Sequence, residues 1–343
     1  MGETVRAAVL MKARELAFEE RPAPAPGPGE VAVAVKHCGV CGSDVHYYLD
    51  GRIGDMVVES PLVLGHEFAG TVAELGEGVE GFEVGQLVAV QPGVPCGACR
   101  MCRAGRYNLC PDVSFAGTPP IDGALTDLFV TAADFVYPLP EGLTTEDGAL
   151  VEPLACGVHA VERAGVTLGD RVAILGSGPI GLMVSVACQA AGATVVLATD
   201  LVEARLTMAE AVGAERAVNA SEADPVAAVA GEWIDVVFDC AGAVETPQQG
   251  VDMVRPGGLV QIVGFPRGEA VPIDMANAVR KEIAINTMLR FVNNVPTAIA
   301  LLEREIGRLR KLVTHRFPFE RAAEAFQLVG DLADGVVKAM IEL

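Results

Sequence analysis

Cys96, Cys99, Cys102 and Cys110 fall within fifteen residues in the spacing Cys-x2-Cys-x2-Cys-x7-Cys, among the turn formers Pro95, Gly97 and Gly105. Four thiolates so close can complete a tetrahedral shell around zinc with no position left over, which is structural chemistry. An iron–sulfur cluster is the competing metal, and nothing else in the chain suggests electron transfer. A second set is dispersed: Cys41 in Cys41-Gly42-Ser43-Asp44-Val45-His46, the turn Gly65-His66-Glu67, and Glu152-Pro153. Sulfur, nitrogen and oxygen donors from separate loops suit a zinc that keeps one position open for water or substrate. Taken singly, His66 or Cys41 is more often an ordinary buried residue and a lone glutamate is usually solvated. Spacing alone does not find this second set.

A different chemistry is written at Gly176-Ser177-Gly178-Pro179-Ile180-Gly181, which follows the apolar run Val172 to Leu175 and opens a helical pattern. The first glycine suits a tight turn, the second lets a pyrophosphate approach the backbone, and the third allows close packing of helix on strand, with the helix N-terminus facing the phosphates. A lone glycine pattern is weak evidence, since turns produce many. Asp200 strengthens it, ending the next apolar strand 19 positions beyond Gly181, where a carboxylate accepts both ribose hydroxyls and repels a 2'-phosphate. NAD is therefore favoured over NADP. Arg205 either stacks on adenine or tolerates that phosphate, and the plainer role for Asp200 is an N-cap of the following helix.

The elements that must position these groups fall into two kinds. Before residue 150 the chain reads as short β segments divided by turn residues, at Arg6 to Met11, Glu30 to Lys36, Gly70 to Leu75 and Gln86 to Gln91, with the Pro-rich Pro22 to Gly29 as a surface turn. From Arg171 strands alternate with helices: Arg171 to Leu175, a helix from Pro179, Thr194 to Asp200, a helix from Glu203, Ile234 to Asp239, a helix near Thr246, Leu259 to Val263, then Glu282 to Thr287. Such alternation implies a doubly wound parallel sheet. Helical stretches around Val295 to Leu309 and Arg321 to Leu332 precede an apolar strand, Val336 to Leu343, which is expected to return to the first domain. The uncharged run Val172 to Thr199 is long enough to mimic a membrane span, but Gly176, Gly178, Pro179, Gly181 and Gly192 break it into strand, turn, helix and strand.

At 343 residues, two domains are the natural expectation. Composition, 51% hydrophobic and 20% charged, describes a folded protein and excludes collagen-like or disordered classes. A net charge of -20, from 25 Lys plus Arg against 45 Asp plus Glu, would repel nucleic acid or an anionic membrane. Only five lysines occur, so salt adaptation and an ordinary acidic enzyme both remain open; a stability that does not rise with KCl would remove the first. The N-terminus, with Glu3 and Arg6 and no long apolar core, shows no secretory signal, so a cytoplasmic location is expected. Six of nine cysteines lie between Cys38 and Cys110, and such clustering favours metal over a disulfide framework.

At these residues the chain resembles the medium-chain zinc alcohol dehydrogenases, and within them the sorbitol and xylitol dehydrogenases. The likeness runs through nearly the whole chain, including Gly39-Val40-Cys41-Gly42-Ser43-Asp44-Val45-His46-Tyr47, Leu64-Gly65-His66-Glu67, Thr118-Pro119-Pro120, Gly148-Ala149-Leu150-Val151-Glu152-Pro153-Leu154 and Leu312-Val313-Thr314-His315-Arg316-Phe317-Pro318. It implies an α/β protein in which a Rossmann doubly wound parallel sheet, residues 154–289, is inserted in a GroES-like β-rich catalytic domain of residues 1–153 and 290–343. It assigns catalytic zinc to Cys41, His66 and Glu67, with Glu152 either a fourth ligand or the holder of the zinc water. Ser43 and His46 match the proton relay, and Asp44 matches the carboxylate that orients the histidine ligand.

Tyr47, Phe115, Thr118, Glu152 and Arg290 fall where polyol dehydrogenases contact substrate. Ile180, Asp200, Arg205, Val263, Gly264, Phe265, Met288, Leu289 and Arg290 fall at dinucleotide contacts. The implied reaction is NAD-dependent oxidation of a polyol secondary alcohol to a ketose by a homotetramer. The alternatives are the same chemistry on L-idonate, L-threonine or a simple secondary alcohol, or a homologue that binds nucleotide without turnover. Two departures bear on this. Phe291 stands where polyol dehydrogenases commonly have tyrosine, and the four-cysteine lobe, lost in some animal sorbitol dehydrogenases, is intact and points to the microbial branch. His37, His159 and His315 are read as structural.

Overall fold

The computed structural model describes residues 4–265 and 270–343. The chain divides into two compact units: one holds the residues up to Glu152 together with Ala298–Ile306 and Val313–Leu343, the other Pro153–Thr297 and Gly307–Leu312.

The first unit is built on a seven-stranded sheet. Val136–Pro138, Leu87–Val90, Glu67–Leu75, Glu30–Gly39, Lys338–Glu342 and Val313–Pro318 lie side by side in that order, and Leu128–Ala132 also pairs with Glu30–Gly39. The last strand is antiparallel to Glu30–Gly39, with Met340 opposite Gly39 and Glu342 opposite His37. The expected return of the tail is thus a strand in the central sheet. Strand Glu30–Gly39 is buried along most of its length, which accounts for its run of Val and Ala rather than a polar alternation. Its core includes Val33, Leu64, Phe68, Leu125 and Phe326, each large side chain contributing about 1.5–3 kcal/mol by leaving water.

The second unit carries six parallel strands in the order Ala217–Asn219, Thr194–Asp200, Arg171–Leu175, Ile234–Asp239, Val254–Ile262 and Ala284–Thr287. From Arg171–Leu175 the chain first adds strands on one side and then, from Ile234, on the other. That reversal opens a crevice at the carboxyl ends of the two central strands, the place where doubly wound sheets bind ligands. The uncharged run is strand, turn and the helix Pro179–Ala190, with Pro179 in its first turn. Twelve residues of helix span only about 18 Å, and among the described residues no helix is long and apolar enough to cross a membrane.

Candidate active site

The helix Gly42–Asp50 begins immediately after Cys41, whose extended backbone makes it the N-cap. Asp44, in the first turn and fully buried, ties two loops together: Oδ2 accepts from the Cys41 N–H at 3.2 Å and Oδ1 from the Gly65 N–H at 3.1 Å. The same Oδ1 lies 3.3 Å from Nδ1 of His66, a buried nitrogen with no well-formed hydrogen bond. Glu67 then starts the strand Glu67–Leu75, opposite Gly39. Donor atoms of Cys41, His66 and Glu67 come within 4.8 Å of one another. Glu152, in the first turn of the helix Val151–Ala164, is buried but stands outside that group of three.

The electrostatics are those of a crowded anionic pocket. Burial, with the nearby charges of Glu67 and Asp44, pushes the Glu152 carboxyl up to about 7, against the opposing pull of His66 and Lys338. Burial alone would lower the His66 imidazole, but Asp44 and the Cys41 thiol together hold it well above its ordinary value. A protein that gathers a thiol, an imidazole and carboxylates in one dry place creates a demand for a cation.

Ser43 and His46 lie one helical turn apart on Gly42–Asp50. The Ser43 hydroxyl is 3.5 Å from Nε2 of His66, whereas the His46 side chain is 42% exposed and reaches Asp50 at 3.6 Å. The pair therefore runs from the buried cluster to water. The Phe115 ring packs 5.5 Å from the His66 ring, and Thr118 shares its turn, donating its backbone N–H to Phe115 at 3.1 Å. Tyr47 is buried on the same helix as Ser43, with its hydroxyl 3.7 Å from the sulfur of Met56. Arg290 belongs to the other unit, in a left-handed conformation at φ 52°, and Phe291 beside it is buried.

The four-cysteine lobe is formed as its spacing suggests. Sγ atoms of Cys99 and Cys102 are 3.4 Å apart, those of Cys96 and Cys110 3.5 Å, and all four lie within 4.8 Å of one another. The backbone N–H groups of Ala98 and Cys99, with the Cys110 thiol, hold the Cys96 thiol down at about 7. Burial and the Cys99 thiol push Cys102 up to about 12. Four sulfurs this close share protons that a bound metal would displace.

In the second unit every dinucleotide candidate sits at or beyond a carboxyl strand end. Gly176 turns with φ 93°, where a Cβ would come within 2.7 Å of the Ala241 backbone nitrogen. Asp200 accepts the Ser177 N–H at 2.9 Å with Oδ2, and the Leu201 and Val202 N–H groups at 2.8 and 3.0 Å with Oδ1. The carboxylate thus organises the local turn, while Val202 is the N-cap of Glu203–Ala211. Arg205 stands 4.0 Å from Asp200, both largely buried. The backbone N–H groups of Val263 and Gly264 both donate to the Asp239 carbonyl at 2.8 Å, Phe265 is exposed, and Met288 and Leu289 follow the edge strand Ala284–Thr287.

The alcohol dehydrogenase GroES-like domain matches residues 27–141 and the zinc-binding dehydrogenase domain residues 179–304. Over 343 residues the chain is 39% identical to sorbitol dehydrogenase of Bacillus subtilis, covering 99% of this chain and 97% of that one. It belongs to the medium-chain zinc-binding alcohol dehydrogenases. Sorbitol dehydrogenase of Gallus gallus is 42% identical, over 94% of this chain and 92% of its own. Among solved structures, an Escherichia coli oxidoreductase of unknown specificity superposes with a TM-score of 0.93 at 36% identity, covering 99% of each chain. Escherichia coli L-idonate 5-dehydrogenase gives 0.93 at 29%, over 100% of this chain and 99% of that one. An alcohol dehydrogenase of Escherichia coli CFT073 complexed with NADH gives 0.92 at 29%, over the whole of both chains.

Membership makes the chain a dehydrogenase with a GroES-like and a Rossmann domain, and its two donor clusters fit the zinc ions that the family name implies: a closed four-sulfur lobe and a mixed thiol, imidazole and carboxylate set. One residue of the mixed cluster escaped the motifs. Lys338 is buried against Glu67 and Val40, and the signal for it was a lone cation inside the apolar run Val336 to Ile341.

Proposed function

We propose that this enzyme oxidises a secondary alcohol of a polyol, of the sorbitol or xylitol kind, to the ketose and passes the hydride to NAD. The observation that carries the reading is the convergence of Cys41, His66 and Glu67 beside the Ser43 to His46 path. Support for the substrate class comes from relatives named sorbitol dehydrogenase at about 40% identity. In this reading Cys41, His66 and Glu67 hold the catalytic zinc, with Glu152 as further ligand or holder of its water, and Cys96, Cys99, Cys102 and Cys110 hold the structural one. When bound, the catalytic metal supplies Lewis acidity that favours the deprotonated alcohol.

The remaining work falls to the chain. Ser43 accepts the hydroxyl proton and His46 releases it to solvent, while the carbinol hydrogen leaves with its electron pair for the nicotinamide. Phe115 beside His66, with Thr118, Tyr47, Glu152 and Arg290, orients the substrate; the ring of Phe115 shields the imidazole from water. Gly176 to Gly181 receives the pyrophosphate, Asp200 the adenosine ribose, and Arg205, Val263 to Phe265 and Met288 to Arg290 complete the nucleotide site. Residues 1–153 and 290–343 supply the catalytic domain and 154–289 the nucleotide domain, except that the stretches 290–297 and 307–312 pack with the nucleotide unit. By family likeness the assembly is a homotetramer of the cytoplasm.

The deciding experiment follows NADH absorbance with sorbitol, xylitol, L-idonate, L-threonine and simple secondary alcohols, each with NAD and with NADP. The highest kcat/KM is expected with a polyol and NAD. A preference for L-threonine or a simple alcohol would overturn the substrate class, and silence across the panel in zinc-loaded protein would overturn the activity.

A further inference from the structure

Lys338, one of only five lysines, opens the strand Lys338–Glu342 with its side chain 1% exposed. Its Nζ donates to the Val40 carbonyl at 3.0 Å and forms an ion pair with Oε2 of Glu67, which is equally enclosed. Gly39 makes room for this contact. It sits opposite Glu67 on one side and Met340 on the other, and a Cβ there would strike Glu67 Oε2 and come within 3.0 Å of Lys338 Cε. Three adjacent strands thus form a socket for one ammonium and one carboxylate.

Burying such a pair is expensive, and it survives only with good geometry and a further hydrogen bond, here the Val40 carbonyl. Glu67 also contributes a donor atom within 4.8 Å of those of Cys41 and His66. One carboxylate therefore faces two cationic positions, the fixed ammonium and the metal.

We propose that Lys338 is a positioning residue of the metal site: by holding Oε2 of Glu67 it leaves that carboxylate one oxygen for the metal and keeps a coordination position free for the alcohol. This rests on the zinc reading of Cys41, His66 and Glu67. Without the lysine, both oxygens and the full charge of Glu67 turn to the metal. Affinity then rises while the open position closes.

The test uses the full-length enzyme loaded with cobalt(II), with affinity read by chelator competition and geometry by visible absorption. K338M is expected to hold the metal about tenfold more tightly, on the scale at which groups behind the ligands tune metal sites, with its absorption bands shifted and kcat reduced. The double variant K338M/E67Q is expected to match E67Q in affinity and bands, because the lysine acts only through Glu67. Unchanged affinity and bands in K338M, weaker binding, or the same shift with and without Glu67 would each overturn the proposal. Should K338M fail to fold, E67Q against the double variant decides: equal affinity supports it and a difference overturns it. C41S separates the two levels: the four-cysteine lobe keeps its own cobalt bands in every variant, so a C41S spectrum identical to wild type refutes the zinc reading itself, whereas loss of the remaining bands in C41S with no coupling at Lys338 refutes only the lysine's role.

Discussion

The carboxylate of Asp44 lies 3.3 Å from the Nδ1 of His66 while it binds the backbone of Cys41 and Gly65. Its charge beside Nδ1 favours a proton on that nitrogen and leaves Nε2 as the donor for the cluster, while its bonds to Cys41 and Gly65 hold the two ligand loops at a fixed separation. Replacing Asp44 with alanine should lower zinc affinity by about 10–100-fold, the range for partners of metal-bound histidines. Asp44→Asn, which keeps an acceptor for one loop, should lose less. Chelator competition measures both, and equal affinities for wild type and D44A would remove the orienting role.

Asp200 links the glycine turn to the next strand through Ser177, so its substitution tests recognition and scaffold together. Loss of a charge-assisted bond of about 1.5–3 kcal/mol corresponds to roughly a 10- to 100-fold fall in kcat/KM for NAD. Asp200→Asn should retain the turn and lose mainly the discrimination against NADP. Steady-state kinetics with both nucleotides distinguish these effects, and an unchanged NAD to NADP ratio in D200N would contradict the ribose assignment.

The relay from Ser43 to His46 makes a kinetic forecast. Positioned proton transfer is worth about 100-fold or more, so Ser43→Ala should reduce kcat by up to about that factor with little change in NAD affinity. His46→Ala should be milder, because that side chain is 42% exposed and water replaces it. Added imidazole should restore part of the H46A rate; if it restores none and S43A is as active as wild type, protons take another path.

The cysteine lobe separates stability from catalysis. Cys99→Ser should release one zinc per chain and lower Tm, because a structural site contributes its binding energy to folding. Metal analysis and calorimetry test this. A full zinc complement and unaltered Tm in C99S would show that the lobe needs no metal.

Acid stability should depend on Asp127. Burial raises this carboxyl, but hydrogen bonds from the Arg6 side chain and backbone outweigh it and hold the pKa below its usual value. A carboxylate depressed in the folded state contributes stability that is present above its unfolded pKa of about 3.9. That contribution is lost as pH falls through the lower folded value. Asp127→Asn should therefore flatten the pH dependence of unfolding below roughly pH 4, and denaturant titrations with an undiminished slope there would rule the linkage out. Both side chains are partly exposed, so the effect is small and weakens with salt.

Much of this architecture is legible in the residues because its signals are short in range. The strand, glycine turn and helix from Val172 to Ala190 are contiguous, as is the lobe from Cys96 to Cys110, and each carries its own chemistry in its spacing. The expected strand Glu30 to Lys36 extends in the structure to Gly39, because Cys38 and Gly39 gain partners in Phe68 and Glu67. The strand Leu128–Ala132, which pairs with it along its whole length, has no strict alternation to betray it. Cys41, His66 and Glu67 were found through family motifs, and Lys338 not at all, because the pairing that brings it to Glu67 exists only once distant strands meet. A charged residue in an apolar strand was the available clue.

Val40 and Lys338, joined by one hydrogen bond, are 298 positions apart in the chain. On a ribosome the thiol, imidazole and carboxylate emerge long before the ammonium that neutralises Glu67, which follows the whole nucleotide-type sheet. A nascent chain therefore exposes uncompensated metal donors long before the sheet that frames them can close. The strand Lys338–Glu342 acts as a latch, and a substitution that weakens its pairing with Glu30–Gly39 should be felt at the metal site rather than only where it was made.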